Sequence, residues 1–192
     1  GAFFEPKLAK RYGVQSHEVH LLKENLASLG CSHEQIDWVI LSHLHFDHAG
    51  GLLPAYHDLQ AGNQNLLFPN AQYVVGEQAW ERSLDPHLRD RASFIKELSP
   101  KLIESGRLVT VKNQILPKEL SDLGFSCLVS NGHTPGQIHM LLEVLDKKIF
   151  FCGDLIPGLS WLHLPITMGY DRFPEKLIDE KSNILKRALK EK

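Results

Sequence analysis

The sequence lacks the features that mark several classes of protein. Its three cysteines, Cys31, Cys127 and Cys152, form no closely spaced CxxC pair, which argues against a disulfide scaffold and a zinc ribbon and fits a reducing compartment. It contains neither a signal peptide nor an apolar run long enough to span a membrane. We therefore expect a cytoplasmic protein with no membrane partner.

An excess of charge of one sign is also missing. Lysine and arginine together number 21 against 23 aspartates and glutamates, and the formal net charge is −2. Such a balance predicts no nucleic-acid partner, because binding to phosphates requires a basic surface. There is no internal repeat, and 192 residues of ordinary composition suit one domain with its own core, which we expect over residues 1–192.

Periodicity and turn signals predict a mixed α/β chain. A helix is expected over 16–30 with Ser16 as its cap, and Ser32 with Gln35 has the spacing of a capping box. Broken helices are expected over 77–106, interrupted at Asp85–Pro86 and Ser99–Pro100, and a closing helix near Pro174. The expected strands are 38–41, 71–76, 107–112, 125–131, 138–145 and 147–154, with a tight turn at Asp146–Lys147 between the last two.

Histidine is abundant in this sequence, which contains 11 histidine residues. The stretch SHLHFDHAGG at 42–51 places His43, His45, Asp47 and His48 within six positions. A histidine-rich polar turn on the surface is the simple alternative to a metal site. Residues two apart in extended backbone point to the same side, so His43 and His45 can bind one cation, while Asp47 and His48 are available to a second. The glycines at 50 and 51 are expected to allow a tight turn beside the site.

Two later stretches add candidate ligands. NGHTPGQ at 131–137 contains His133, and FCGDLIPG at 151–158 contains Asp154. Like the first cluster, each follows an apolar run of strand length. If the three strands end at the same sheet edge, their ligands meet there, which is where layered α/β folds often bind ligands.

These three stretches resemble the motifs of the metallo-β-lactamase superfamily. HLHFDH at 43–48 resembles its H-x-H-x-D-H motif, and GHTPG at 132–136 and CGD at 152–154 resemble the next two motifs in the same order. The resemblance implies an α/β fold, the αββα four-layer sandwich, of which this chain would carry part. It implies a first metal held by His43, His45 and His133, a second held by Asp47 and His48, and Asp154 as a bridge between them.

The surrounding sequence is most similar to the lactonase-like and uncharacterised hydrolase branch of that superfamily. Two departures qualify the resemblance. The D-x-G turn that normally precedes these motifs and the final histidine of the second metal are both absent, so we expect a partial domain. Acyl-homoserine lactonases carry a tyrosine shortly after the bridging aspartate, where this chain has Leu155-Ile156-Pro157-Gly158.

The implied function is a dinuclear metal-dependent hydrolase acting on a small ester or lactone. Two divalent metal ions are expected, zinc first, with iron or manganese as alternatives. A metal-bridging hydroxide would attack the carbonyl carbon, and Asp47 would in addition hydrogen-bond that hydroxide or take its proton. A glyoxalase II-like thioesterase and a degenerate non-catalytic binding module remain as alternative functions.

Several other residues have two interpretations at this stage. Trp161, His163 and Tyr170 follow Asp154 and are either substrate contacts or ordinary loop residues. Cys152 is expected to be buried filler rather than a nucleophile. A small molecule is the expected substrate, and a homodimer is expected if a partner chain covers the sheet that absent strands would leave exposed.

Overall fold

A computed structural model describes residues 5–14 and 19–190. The helices are α1 (Pro6–Tyr12), α2 (Leu21–Ser28), α3 (Phe46–Ala49), α4 (Tyr56–Gln60), α5 (Glu77–Leu84), α6 (Leu98–Glu104), α7 (Lys118–Asp122) and α8 (Pro174–Lys190). The strands are β1 (Trp38–Ile40), β2 (Gln72–Gly76), β3 (Leu108–Val111), β4 (Phe125–Ser130), β5 (Gln137–Val144) and β6 (Lys147–Phe151). Among the described residues, no helix is both long and apolar enough to cross a membrane.

The strands form two three-stranded sheets, of order β1–β2–β3 and β4–β5–β6. In the first, β1 and β2 pair in parallel, with Trp38 opposite Gln72 and Ile40 opposite Val74. In the second, β5 is the central strand and runs antiparallel to both neighbours, with Met140 opposite both Cys127 and Phe151. The expectation of strands and helices in an α/β arrangement is confirmed.

The chain divides into two compact units. Unit 1 contains Gly1–Val74 and Arg91–Val109, and unit 2 contains Val75–Asp90 and Thr110–Lys192. The buried apolar residues of unit 1 include Leu41, Leu44, Leu52, Phe68, Tyr73, Val74, Leu98 and Leu102. Those of unit 2 include Val75, Val111, Leu120, Ile138, Met140, Leu155 and Leu177. A single domain over the whole chain stays a prediction.

Most of the predicted elements lie within a residue or two of their expected bounds. The capping box at Ser32 and Gln35 is present, and α5 ends directly before Asp85–Pro86. Pro174 opens α8, as expected of a proline in a first helical turn. Ser16, the expected cap of the helix over 16–30, lies outside the described residues, and the described helix there begins at Leu21.

Four local expectations are wrong. Ser99–Pro100 does not interrupt a helix, because Pro100 lies in the first turn of α6, where its missing N–H has no intrahelical partner to lose. Strand β6 ends at Phe151 rather than 154, and the chain continues into a 3₁₀ turn over Gly153–Leu155. The turn between β5 and β6 lies one residue earlier than expected, at 145–146, with Leu145 at φ 54°.

The fourth concerns the two glycines after the histidine cluster. Gly50 has φ −64° and begins a short 3₁₀ helix, Gly50–Leu52, so this segment uses ordinary right-handed backbone. A Cβ atom on Gly51 would meet only the Leu22 side chain, at 3.4 Å. Neither glycine is required by a tight turn.

Candidate metal centre

Unit 1 gathers three of the candidate ligands directly after β1. His43 and His45 are buried, at 0% and 6% exposed, and their ring centroids lie 4.4 Å apart, edge to face. The ring of His48 lies 4.2 Å from that of His43. A ligating nitrogen of His43 lies within 4.8 Å of one on His45 and of one on His48, which is close enough for two of these imidazoles to share one cation.

Neighbouring side chains orient two of these imidazoles. The Ser42 hydroxyl lies 3.1 Å from His43 Nδ1, so Nε2 is the His43 nitrogen directed to other partners. The His45 ring packs edge-on against Phe94, with centroids 5.0 Å apart, and the two residues form an isolated antiparallel bridge. Fixed rings of this kind are typical of metal-ligating histidines, whose second nitrogen is usually hydrogen-bonded.

Asp47 is placed differently from the three histidines. Its side chain is 54% exposed, and its Oδ2 lies 3.6 Å from His48 Nε2. The pair therefore lies together on the short helix α3 (Phe46–Ala49), which the sequence predicted only as a turn. An exposed carboxylate beside an imidazole can bind a cation or exchange protons with water.

Unit 2 brings together the other two candidate ligands. Strands β4 and β6 flank β5 and run in the same direction, so their carboxyl ends lie at one edge of the sheet. His133 and Asp154 follow these two ends, and His133 Nε2 lies 3.2 Å from Asp154 Oδ2. The expectation of a shared edge is confirmed for β4 and β6 and wrong for β1, which belongs to the other sheet, because apolar runs of equal length do not reveal which strands pair.

The two glycines around His133 are required by close packing. A Cβ atom on Gly132 would lie 2.4 Å from the backbone of Leu177 in α8. Gly136 has φ +74°, and its Cβ would lie 2.4 Å from the Ala79 nitrogen in α5. The motif GHTPG thus holds His133 where the chain passes directly against two helices, a position that only glycine allows.

The side of His133 away from Asp154 also has a partner, which no motif of the sequence indicates. Its Nδ1 lies 2.8 Å from Oδ1 of Asp171, a carboxylate only 1% exposed. The Tyr170 ring lies edge-on to His133 at 6.0 Å and is 62% exposed. No spacing rule connects Asp171 with His133, because the two are 38 residues apart.

The cysteine beside Asp154 is a poor nucleophile. Cys152 is half-buried, and burial raises the pKa of its thiol, which lowers the fraction present as thiolate. All three cysteines are free. The structure therefore favours the interpretation of Cys152 as filler.

Comparisons with known proteins support a common fold. Residues 20–164 match the family described as Anti-Pycsar protein Apyc1. An N-acyl homoserine lactonase from Bacillus thuringiensis is 25% identical over 143 residues, covering 74% of this chain and 46% of that protein. This chain thus spans about half the length of the curated relatives it matches.

Two solved structures show the same arrangement of elements. A probable metal-dependent hydrolase from Staphylococcus aureus superposes with a TM-score of 0.84 at 24% identity, covering 100% of this chain and 64% of that one. AidC, a dizinc quorum-quenching lactonase in complex with a product, has a TM-score of 0.70 at 21% identity, covering 87% and 58% of the two chains. The likeness confirms the predicted metallo-β-lactamase fold.

Proposed function

The chain belongs to the Anti-Pycsar protein Apyc1 family, whose match covers residues 20–164. We propose that it is a dinuclear metal-dependent hydrolase of a small, apolar ester or lactone. The observation that carries the proposal is that unit 1 holds the buried His43 and His45, and unit 2 holds the buried His133 and Asp154. These residues follow the sequence order of the metallo-β-lactamase motifs. The relatives named as lactonases and the dizinc neighbour point to the same chemistry.

In this proposal the two groups serve one binuclear centre. A first metal would be held by His43, His45 and His133, and a second by Asp47 and His48. Asp154 would serve as a ligand of both. The donor set fits divalent zinc, with iron and manganese as alternatives, because neutral imidazole and carboxylate suit all three.

The geometry within unit 2 supports the fit. If Nδ1 of His133 carries the hydrogen, its Nε2 lone pair faces the Asp154 carboxylate at 3.2 Å. Two electron-rich atoms this close repel each other unless a proton or a cation lies between them. In unit 1, the centroid of the His43 ring lies 4.4 Å from that of His45 and 4.2 Å from that of His48. This spacing brings the ring nitrogens close enough for a shared cation.

The protein's own residues supply positioning and proton transfer. When bound, a pair of divalent ions lowers the pKa of a shared water and polarises a carbonyl. We assign to Asp47 a second role beside ligation, that of accepting a hydrogen bond or a proton from the attacking water. Its 54% exposure lets it pass the proton to solvent. Tyr170, exposed beside His133, can donate a hydrogen bond to the substrate oxygen.

A cavity in unit 1 supports the choice of an apolar substrate. It has a volume of about 580 Å³, in the range of small-molecule sites. The aromatic rings of Tyr12, Phe46, Tyr56 and Phe94 line it together with Leu53, Leu59 and Ile95. Phe46 lies between the candidate ligands His45 and Asp47, and Phe94 packs on His45, so the cavity adjoins this ligand group.

The charged residues of the cavity also favour a neutral substrate. Glu5 and Glu97 balance Lys96 and Lys101 in the lining. The ammonium group of Lys101 donates to the backbone and side-chain oxygens of Gln64, so its charge is already solvated by the protein. An apolar acyl or aromatic substituent on the ester or lactone therefore suits this cavity better than a phosphate.

Two alternative functions remain. A glyoxalase II-like thioesterase would use the same centre on a thioester, and a degenerate binding module would neither hold stoichiometric metal nor hydrolyse either class. The cytoplasmic location and the homodimer stay predictions.

The first test is elemental analysis of the purified chain, followed by hydrolysis assays on matched lactones, esters and thioesters with acyl chains of increasing length. We expect stoichiometric divalent metal and a rise in kcat/KM with chain length for lactones and esters. His43→Ala should lose metal and activity. His57 lies on α4 and its side chain is 60% exposed, so His57→Ala is the control and should retain both.

Each outcome selects one function. Preference for thioesters would replace the lactonase proposal by the thioesterase alternative. Absence of metal and of hydrolysis would favour the binding module.

A further inference from the structure

Asp171 is a buried carboxylate that contacts the ring of His133 on the side away from Asp154. Asp171 Oδ1 lies 2.8 Å from His133 Nδ1, and both side chains are almost fully buried, at 1% and 0% exposed. A carboxylate accepts hydrogen bonds and donates none. The contact therefore requires Nδ1 of His133 to carry the ring hydrogen, which leaves Nε2 as the ligating nitrogen.

We propose that Asp171 is a positioning residue that fixes His133 in the Nδ1–H tautomer and presents Nε2 to the metal. The inference rests on the proposed role of His133 as a metal ligand. Carboxylate–histidine pairs of this kind orient metal ligands in proteins and raise their basicity.

The second oxygen of Asp171 is also fixed, which makes the carboxylate a rigid support. Its Oδ2 accepts a hydrogen bond of 2.6 Å from the Met168 backbone nitrogen. The next two residues bind the backbone of the His133 loop, because Arg172 N donates to His133 O at 3.1 Å and Phe173 N donates to Gly132 O at 2.8 Å. The Asp171 segment thus holds both the side chain and the backbone around His133.

The same contacts predict the effect of an isosteric change. In Asp171→Asn, the Met168 N–H still needs an acceptor, so the amide oxygen faces Met168 and the amide NH₂ faces His133. A ring nitrogen that faces a donor must accept, so the hydrogen moves to Nε2, the nitrogen that should bind metal. The tautomer is reversed while the shape of the side chain is kept.

The experiment compares the metal-free wild-type chain with Asp171→Asn, using long-range ¹H–¹⁵N NMR to assign the His133 tautomer. The wild type should carry a hydrogen on Nδ1, whereas in the variant only Nε2 should carry one. Zinc affinity, measured by competition with a chromophoric chelator, should fall by about 10- to 100-fold in the variant. Asp179→Asn, an exposed carboxylate of α8, is the matched control and should change neither quantity.

The outcomes separate this inference from the proposed function. A wild-type His133 with no hydrogen on Nδ1 overturns it even if Asp171→Asn fails to fold. Unchanged zinc affinity in a folded variant whose Nδ1 has lost its hydrogen also overturns it. If the tautomer and affinity behave as expected but no ester or lactone is hydrolysed, the hydrolase proposal fails and the role of Asp171 stands.

Discussion

His139 is a buried histidine that serves no metal in the proposed centre. It lies on β5, is 0% exposed, and its Nε2 lies 2.8 Å from the Ser130 hydroxyl on the neighbouring strand. The ring of Phe150 lies 5.7 Å away on the other side. Burial is the main cause that lowers the pKa of His139 from 6.5 to about 4, so it is neutral in the native protein near pH 7.

This lowered pKa makes the stability of the fold depend on pH. The unfolded chain protonates His139 near pH 6.5 and the folded chain only near pH 4, so the unfolded state binds more protons between these values. The free energy of unfolding should therefore fall as the pH is lowered from about 6.5 to about 4, by about 3 kcal/mol from this group. Urea denaturation of the metal-free chain at several pH values measures it.

The matched variant for this prediction is His139→Gln, which keeps a polar partner for Ser130 and does not titrate. Its free energy of unfolding should change less over the same pH range than that of the wild type. Equal slopes in the two proteins would show that His139 is not the group responsible.

At this scale the sequence indicates candidate ligands but not the residue that contacts one of them. His43, His45, Asp47 and His48 stand out because metal sites impose short, fixed spacings on one segment. Asp171 could not be found in this way, because its link to His133 depends on how a loop returns after Asp154. A contact such as that of Asp171 with His133 forms only in the folded protein, whereas a motif can be recognised from the spacing of residues along the sequence.

Among the elements, the closing helix α8 anchors the loop that follows Asp154. Lys181 is 0% exposed, and its ammonium group donates to the backbone oxygens of Trp161, His163 and Ile166 at 2.9, 3.1 and 2.7 Å. A buried ammonium needs such acceptors, because an uncompensated buried charge is strongly destabilising. The loop that carries Tyr170 and leads to Asp171 is thereby fixed to the helix.

Replacing Lys181 by methionine should loosen this loop. The change keeps most of the side-chain volume but removes a donor from three carbonyl oxygens, of which His163 O retains the Ile166 N–H. We therefore expect the free energy of unfolding to fall by about 1–3 kcal/mol. Limited proteolysis should cut the segment 159–166 faster than in the wild type. Lys176→Met, at an exposed position of α8, is the control and should leave both measurements unchanged. A Lys181→Met protein as stable and as resistant to proteolysis as the wild type would contradict the anchoring role.

The prediction of elements succeeded where local signals dominate and failed where tertiary packing decides. Asp85–Pro86 ends α5 as expected, yet Pro100 lies inside the first turn of α6, since a proline is compatible with either position. The glycines of GHTPG are explained by helices that pass against them, and no local pattern contains that information.

For the whole molecule, the main proposal is that ligands from both units act together. The resemblance of the three motifs to those of the metallo-β-lactamase superfamily implied this grouping. What the sequence could not predict is that β1 and β4 belong to different sheets. Pairing between strands depends on contacts distant in sequence, which apolar runs do not encode.

Joint action can be tested by comparing single and double substitutions. If His43 and His133 bind the same metal, His43→Ala or His133→Ala alone should already abolish tight binding of that ion, and the double variant should lose little more. Two independent sites would instead give losses that add.

Zinc affinity is measured for the three variants by competition with a chelator. The zinc-dependent rise in melting temperature provides a second measure, because a ligand that binds only the folded state stabilises it. The exposed control His57→Ala should match the wild type in both. Strictly additive losses would place the two ligand groups in separate sites and remove the basis for a bridging hydroxide, whereas a saturated loss would make the histidines of both units parts of one centre.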